Sequence, residues 1–524
     1  MASPASKLDR LRAFLGEERS ALGLGAFRAL FGGLMLLSTL RFLGRGWVEA
    51  LYVAPRFHFT YFGFEWLRPW PPAGVYLHFA LLALSALSLA LGYRARLSAL
   101  VFCVLFTWAE LWEKASYLNH YYLVSLLAGL LATVPCGNAL AIDSRREAAQ
   151  PPGSTPPPAP VRRGHYWLLR AQLGCVYGFA GLAKLNSDWL LRAEPVRGWL
   201  LHFADLPLVG GLLTSAPTAF ALSWLGALFD LCVVPLLCWR RTRRAAFAVA
   251  LVFHVSNWLM FPIGVFSWLM LISLTIFFDP AWPKRWLLPY GSVRGVLGIG
   301  RAPGSQRLSV ERAPGSQRLS VERAQSTPST PGGVVQTPGG GVVGGAEGYV
   351  EHGSAGAVAP VAAVAAVAAV AHGGGVSGRW LGLAGGFLLV QLLLPLRGIF
   401  YPGKLNWTEQ GFRFAWRVML VEKAGVVEFD VSTDRGRFRV FPRGDLTSLQ
   451  LRMMSTAPDM IHEYALHLAR RFRREGHRQV EVRARAFTSM NGRPSSPLID
   501  PAVNLAALPR SLGPAVFVTR APLD

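Results

Sequence analysis

Tyr177-Gly178-Phe179-Ala180-Gly181-Leu182-Ala183-Lys184-Leu185-Asn186-Ser187-Asp188-Trp189 closes an apolar run that begins near Tyr166, and it turns polar within two residues of Lys184. As an α-helix, a run of that length reaches across most of the roughly 30 Å of hydrocarbon in a bilayer. Lys184 then stands at the mouth of a membrane helix. An amine there is either an anchor snorkelling to the interface or a working base.

Composition supports the membrane setting. Of 524 residues, 52% are hydrophobic and only 16% charged, and mean hydropathy is +0.33. Spanning helices are expected at 22–44, 74–92, 96–113, 117–135, 166–184, 217–238, 245–261, 262–278 and 379–400. The expected fold class is an α-helical polytopic membrane protein with about eight to nine transmembrane helices and a C-terminal β-rich or α+β extracytoplasmic domain. The net charge of +23 does not point to nucleic acid, because the arginines flank apolar runs and no RNP, zinc-finger or helix-turn-helix pattern accompanies them. Cys103, Cys136, Cys175, Cys232 and Cys238 all lie in or beside apolar runs without metal-ligand spacing, so neither bound zinc nor a disulfide in the polar C-terminal part is expected. Residues Met1 to Ser20 carry no signal-peptide h-region, which leaves insertion to the first membrane helix.

Positive residues set the orientation. Lys7, Arg10 and Arg12 precede the first span, and Arg94 and Arg96 follow the second. Arg145, Arg146, Arg162 and Arg163 follow the fourth, and Arg240, Arg241, Arg243 and Arg244 follow the sixth. All fall on one side if every candidate spans, and that side is the cytoplasm. The C-terminal domain is then periplasmic or lumenal, with a bacterial inner membrane as the expected location. The organisation is a membrane domain at 1–290, a low-complexity linker at 291–378, a last membrane helix at 379–403 and a soluble domain at 404–524. The linker repeats Arg301–Glu311 as Arg312–Glu322 and contains an Ala/Val run at 361–371, while 147–161 is Pro-rich. In the soluble part, strands are expected at Val426–Val431, Arg437–Phe441 and Val480–Ala486, an amphipathic helix at Pro458–Glu475, and a turn at Asn491-Gly492.

Ionisable groups inside spans are costly, so each needs a reason. His120 starts the fourth span after Asn119, and its bland reading is an interfacial histidine satisfied by water. His254 lies deep in the seventh, with Asn257 nearby on the same face, and a structural hydrogen bond would account for it. His120, Lys184 and His254 sit on three helices in the outer half or near the midplane, where they can converge on one pocket. A partly desolvated Lys184 there would serve as a neutral base. Asp230 is expected to pair with His254 or to balance charge. Trp66, Trp70, Trp282 and Trp286 are expected in interfacial belts.

These residues resemble the vitamin K-dependent gamma-glutamyl carboxylases and their bacterial relatives, the HTTM membrane proteins. The resemblance is carried by Tyr117-Leu118-Asn119-His120-Tyr121-Tyr122-Leu123, by Leu169-Arg170-Ala171-Gln172 with Gly178–Trp189, and by His254 with Pro262-Ile263-Gly264-Val265-Phe266-Ser267-Trp268. Leu405-Asn406-Trp407-Thr408 with Gly411–Met419, and Ser489-Met490-Asn491-Gly492-Arg493 with Leu498-Ile499-Asp500-Pro501, extend it into the C-terminal part.

The resemblance implies a lipid-soluble cofactor, reduced vitamin K (a phylloquinone or menaquinone hydroquinone), that reacts with O2 to give the epoxide. The strong base so formed takes a γ-proton from a peptide glutamate, and CO2 adds there to give gamma-carboxyglutamate. It implies Lys184 as the base, with His120, Asn119 and His254 as further catalytic residues. Ile263, Phe266, Ser267 and Met419 are implied as the cofactor wall, and Trp407, Phe412 and Trp416 as substrate contacts. Implied partners are the bilayer, the quinone and a glutamate-containing exported peptide. The chain departs from the animal enzymes at Ala183, where they have a second lysine, and at Asn186, where they have aspartate. They have tyrosine at the position of Phe412, and histidine and arginine at those of Val421 and Lys423. The quinone half of the site therefore matches better than the glutamate half. The alternatives are a quinone-binding or hydroquinone-epoxidising protein without carboxylation, and a non-catalytic membrane scaffold.

Overall fold

The structure is a computed structural model that describes residues 6–147, 158–261, 263–285 and 377–522. The repeats and the Ala/Val run of the linker, Pro262, Trp286 and most of the Pro-rich loop lie outside the described residues. A short amphipathic helix, α1 (Lys7–Gly16), precedes α2 (Leu22–Gly44), α3 (Pro72–Leu91), α4 (Ala95–Trp112), α5 (Asn119–Thr133) and α6 (Arg163–Lys184). After a short α7 (Ser187–Leu191) come α8 (Ala216–Cys238), α9 (Arg243–Met260), α10 (Phe266–Leu274) and α11 (Gly378–Leu396). Helices stand at all nine expected spans.

Among the described residues five helices are long and apolar enough to cross a membrane: α2, α3, α4, α8 and α11 with its continuation to Phe400. The others differ for identifiable reasons. Helix α5 has 15 residues, and α6 carries Arg163, His165, Arg170 and Lys184. Helix α9 opens on Arg243 and Arg244, and α10 passes into a tighter 3-10 turn after nine residues.

Local signals explain the helix ends. Pro72 occupies the first turn of α3, where a missing N–H costs nothing, and Gly92 ends it at φ 70°. Arg28, fully buried in α2, donates from Nη1 to the carbonyls of Leu89 (2.5 Å) and Ala90 (2.7 Å) and from Nη2 to Leu140 (2.5 Å). The buried cation thus meets backbone carbonyls at the C-terminal end of α3, where the helix dipole is negative, and one from the segment after α5.

The soluble domain packs a four-stranded antiparallel sheet against helices α12 (Ser448–Met454) and α13 (Pro458–Arg474). The strands are β1 (Lys423–Thr433), β2 (Gly436–Val440), β3 (Glu481–Met490) and β4 (Ser496–Pro497), in the order β2-β1-β3-β4. Alternation sends Val427, Phe429 and Val431 of β1 inward, against Ile461, Tyr464 and Leu468 of α13. Asn491 and Gly492 take φ 51° and 73°, the left-handed pair that a tight hairpin needs, and so return the chain to β4.

Loops between membrane helices complete this second core. Phe57, Phe59 and Ala115 are buried in it, and Phe57 lies edge-on to Tyr464 at 5.7 Å. Lys114, buried, reaches Glu463 at 2.8 Å and Asp459 at 2.9 Å, and Thr60 donates its N–H to Glu463 at 2.8 Å. Burial alone would raise the Glu463 carboxyl, but Lys114 and Arg510 outweigh it and hold its pKa below the ordinary value. Burial is likewise outweighed at Asp459, by Arg413 and Lys114. Folded values below the unfolded ones contribute stability that is complete above about pH 5 and fades as pH falls through the lowered values. Docking of the soluble domain is therefore expected to be constant from about pH 7 to about pH 5 and to weaken only in stronger acid. Limited proteolysis across pH would read this. Release beginning near neutrality would contradict it.

Candidate active site

Helix α6 carries Lys184 to the edge of an apolar cavity of about 950 Å³ bounded by α6, α8, α9 and α10. Lys184 is 5% exposed. Its Nζ donates to Asp230 Oδ2 on α8 at 2.7 Å and to the Val418 carbonyl at 3.4 Å, and it lies 5.1 Å from the Trp189 ring centroid. Of the two expectations for Asp230, the structure shows charge balance, against Lys184, and not a pairing with His254. Two opposite charges on neighbouring helices neutralise one another where neither could stand alone.

His254 belongs to the same wall but has a different partner, because Tyr177 Oη lies 2.7 Å from its Nε2. Nδ1 of His254 is buried and unpartnered. Phe266 also lines the cavity and lies between the two histidines, with ring centroids 5.4 Å from His120 and 6.1 Å from His254. His120 itself stands behind Phe266 and does not line the cavity. Ser267 is buried with its Oγ unpartnered, and neither it nor Ile263 reaches the cavity lining.

The remaining wall is the segment between α11 and β1. Phe414, Trp416 and Met419 adopt φ of 60°, 55° and 47°, a left-handed backbone that costs a non-glycine residue energy and persists only where its surroundings enforce it. The enforcement is visible. Tyr117 Oη accepts the Phe414 N–H at 2.7 Å, Asn119 Nδ2 donates to the Arg417 carbonyl at 3.0 Å, and Trp416 stacks on Tyr122 at 4.9 Å. Asn119 is thus brought to the segment that lays Val418 and Met419 against the cavity. Non-helical backbone at the depth of a membrane helix is tolerated where it lines a cavity in this way.

The glutamate-side residues are placed elsewhere. Trp407 is fully enclosed in the soluble core and donates its Nε1–H to the Thr519 carbonyl at 3.0 Å. Phe412 is half-buried in the turn after Glu409 and is not in the cavity wall. Trp416 is buried beneath Tyr122. Asn186, one of the departures, caps α7 by accepting the Trp189 N–H at 3.1 Å.

That cap leads into a second polar contact. Asp188 accepts from Arg493 Nη2 at 2.5 Å and Nη1 at 2.8 Å, and from Asn491 Nδ2 at 2.8 Å. Burial alone would raise the Asp188 carboxyl, but these donors outweigh it and hold the pKa below its ordinary value. The hairpin turn of the soluble domain is thereby clamped four residues beyond Lys184.

Two family models match the chain. The HTTM domain matches residues 17–282, more than half of its length, and the lumenal domain of vitamin K-dependent gamma-carboxylase matches residues 378–522. The chain belongs to the vitamin K-dependent gamma-carboxylase family. No solved structure matches it. In this member of the family the cavity and its lysine fall within the HTTM match, and Val418, Met419, Asn491 and Arg493 fall within the lumenal-domain match. Asp230 and Tyr177 join the residues singled out from sequence. The signal for Asp230 was there, since an acid in one span and a lysine in another are each costly alone.

Proposed function

We propose that this chain is a membrane enzyme of the peptidyl-glutamate carboxylase type, coupling oxidation of a vitamin K hydroquinone by O2 to CO2 addition at a peptide glutamate. The observation that carries the reading is the buried Lys184 amine in the wall of a cavity otherwise almost wholly apolar. A volume of about 950 Å³ suits a lipid-soluble ring with part of its tail, being within the range of about 300–1,000 Å³ usual for small-molecule sites. The unpartnered Nδ1 of His254 supports the fit, since it offers a ligand oxygen a hydrogen-bonding partner in an otherwise apolar wall.

The hydroquinone, on oxidation, supplies the basicity that removal of a glutamate γ-proton requires. Lys184 and Asp230 act as one proton-accepting unit. A proton delivered to the pair leaves an ammonium beside a carboxylic acid, so the unit gains one positive charge opposite the negative charge left in the cavity. Tyr177 takes up Nε2 of His254, which leaves Nδ1 as the ring nitrogen available to a ligand. Phe266 and Met419 wall the ring, and His120 backs Phe266. Enclosure by these side chains excludes water that would quench a carbanion.

We take the nine apolar helices as spans, with the arginines after α3 and α8 marking the cytoplasm and the soluble domain periplasmic or lumenal. A cysteine at position 430 is then labelled by an impermeant reagent from that side only, and labelling from the cytoplasm would sink the orientation. The carboxylation half rests on family membership. Enclosure of Trp407 and Trp416 favours a second reading in which hydroquinone is oxidised without carboxylation. Purified protein given reduced vitamin K, O2, a glutamate peptide and labelled bicarbonate decides between them. Epoxide with labelled peptide supports the first reading, epoxide alone the second, and absence of both refutes the pair.

A further inference from the structure

A second cavity, of about 750 Å³, lies between the loop leading into α3 and the C-terminal end of α13. Five arginines line it: Arg56, Arg68, Arg470, Arg473 and Arg474. Cations in the last turn of a helix are explained in part by its dipole. That does not account for Arg56 and Arg68, which reach the same groove from the membrane domain. Among the described residues none of the five has a carboxylate within ion-pair distance, whereas Arg471 beside them reaches Asp445 at 2.7 Å. Glu113, beside the groove residue His58 at 3.1 Å, also accepts from Gln450 at 2.7 Å, and Asp445 is taken up by Arg471.

The position of the groove selects among anions. Pro72, the first residue of α3, lines it together with Trp70. Trp66 and Trp70 stand 68% and 50% exposed, as side chains of an interfacial belt do. The groove therefore opens at headgroup level, at the end of α3 opposite Arg94 and Arg96, and its inner wall of Tyr52, Val53 and Pro55 is apolar. Arginines gathered at this end run against the charge bias that orients the other flanks. We infer that the groove binds the phosphate headgroup of an anionic phospholipid, so that the soluble domain is seated on the membrane through a lipid as well as through protein contacts.

The test uses the full chain in phosphatidylcholine nanodiscs containing a minor fraction of phosphatidylglycerol, with retained lipid counted by native mass spectrometry. Selective retention of phosphatidylglycerol is expected. Arg470→Gln/Arg473→Gln is expected to weaken it about thirtyfold, from about a fivefold contribution per arginine. Arg56→Gln/Arg68→Gln, which leaves α13 untouched, should weaken it comparably. Equal retention of both lipids, or retention unchanged in both variants, overturns the inference. Displacement of the lipid by inorganic phosphate alone would identify a soluble-anion site instead, and displacement by polyglutamate alone a peptide site. Either result would also overturn it. None of these readouts depends on quinone chemistry.

Discussion

Lys184→Ala is expected to lower hydroquinone-dependent epoxide formation about 10²–10⁴-fold, the usual contribution of a positioned acid–base group. The loss follows from geometry: Nζ is 2.7 Å from Asp230 inside an apolar wall, and no second lysine lines the cavity. The single variant also strands a buried carboxylate, which can destabilise by about 3–5 kcal/mol. Activity should therefore be compared with Lys184→Met/Asp230→Asn, in which neither charge remains. Both proteins should be monodisperse and thermally stable within the assay range, and both should be inactive. Full epoxide formation by either would remove Lys184 from the chemistry. Asp230→Asn alone separates positioning from proton acceptance, because the amide can still accept from Nζ but cannot take up a proton. It is expected to reduce turnover with quinone binding retained.

Arg493→Ala is expected to cost about 3–5 kcal/mol of stability, the loss typical when one member of a buried pair is removed. Asp188 would keep Asn491 but lose two charge-assisted bonds, at 2.5 and 2.8 Å. Arg493→Lys should recover only part, because a point charge cannot reproduce the planar fork. Asp188→Asn/Arg493→Met should recover most of it. Thermal unfolding of these three variants and the wild type, purified in detergent, gives the comparison. If Arg493→Ala unfolds at the wild-type temperature, the clamp does not hold the hairpin to the loop after Lys184.

Much of this fold is legible in the sequence because its signals are local. A run of apolar residues sets each membrane helix, alternation sets β1 and β3, and Asn491-Gly492 sets the hairpin turn. Lys184 and His254 are conspicuous for a similar reason, as polar groups in apolar runs. What stayed hidden is pairing across the bundle. Nothing local tells Asp230 that its neighbour is Lys184 on α6 rather than His254 on α9, since that depends on how three helices are rotated about their axes. The enclosure of Trp407 is equally non-local. Its surroundings in the chain are those of a loop near the membrane, yet its ring is buried by strands and helices that come later.

The left-handed segment ending at Met419 bears on how the protein can be divided. Lys184 meets the Val418 carbonyl, so one face of its cavity is built from chain that follows the last membrane helix. A fragment ending at residue 290 would present the amine with that face missing, and the soluble part alone would carry a bent strip of backbone with nothing to brace it. The two matched segments are halves of a single mould. A fusion, split or domain swap that varies their spacing would be expected to preserve activity only where the strip can still seat itself between Tyr117 and Tyr122.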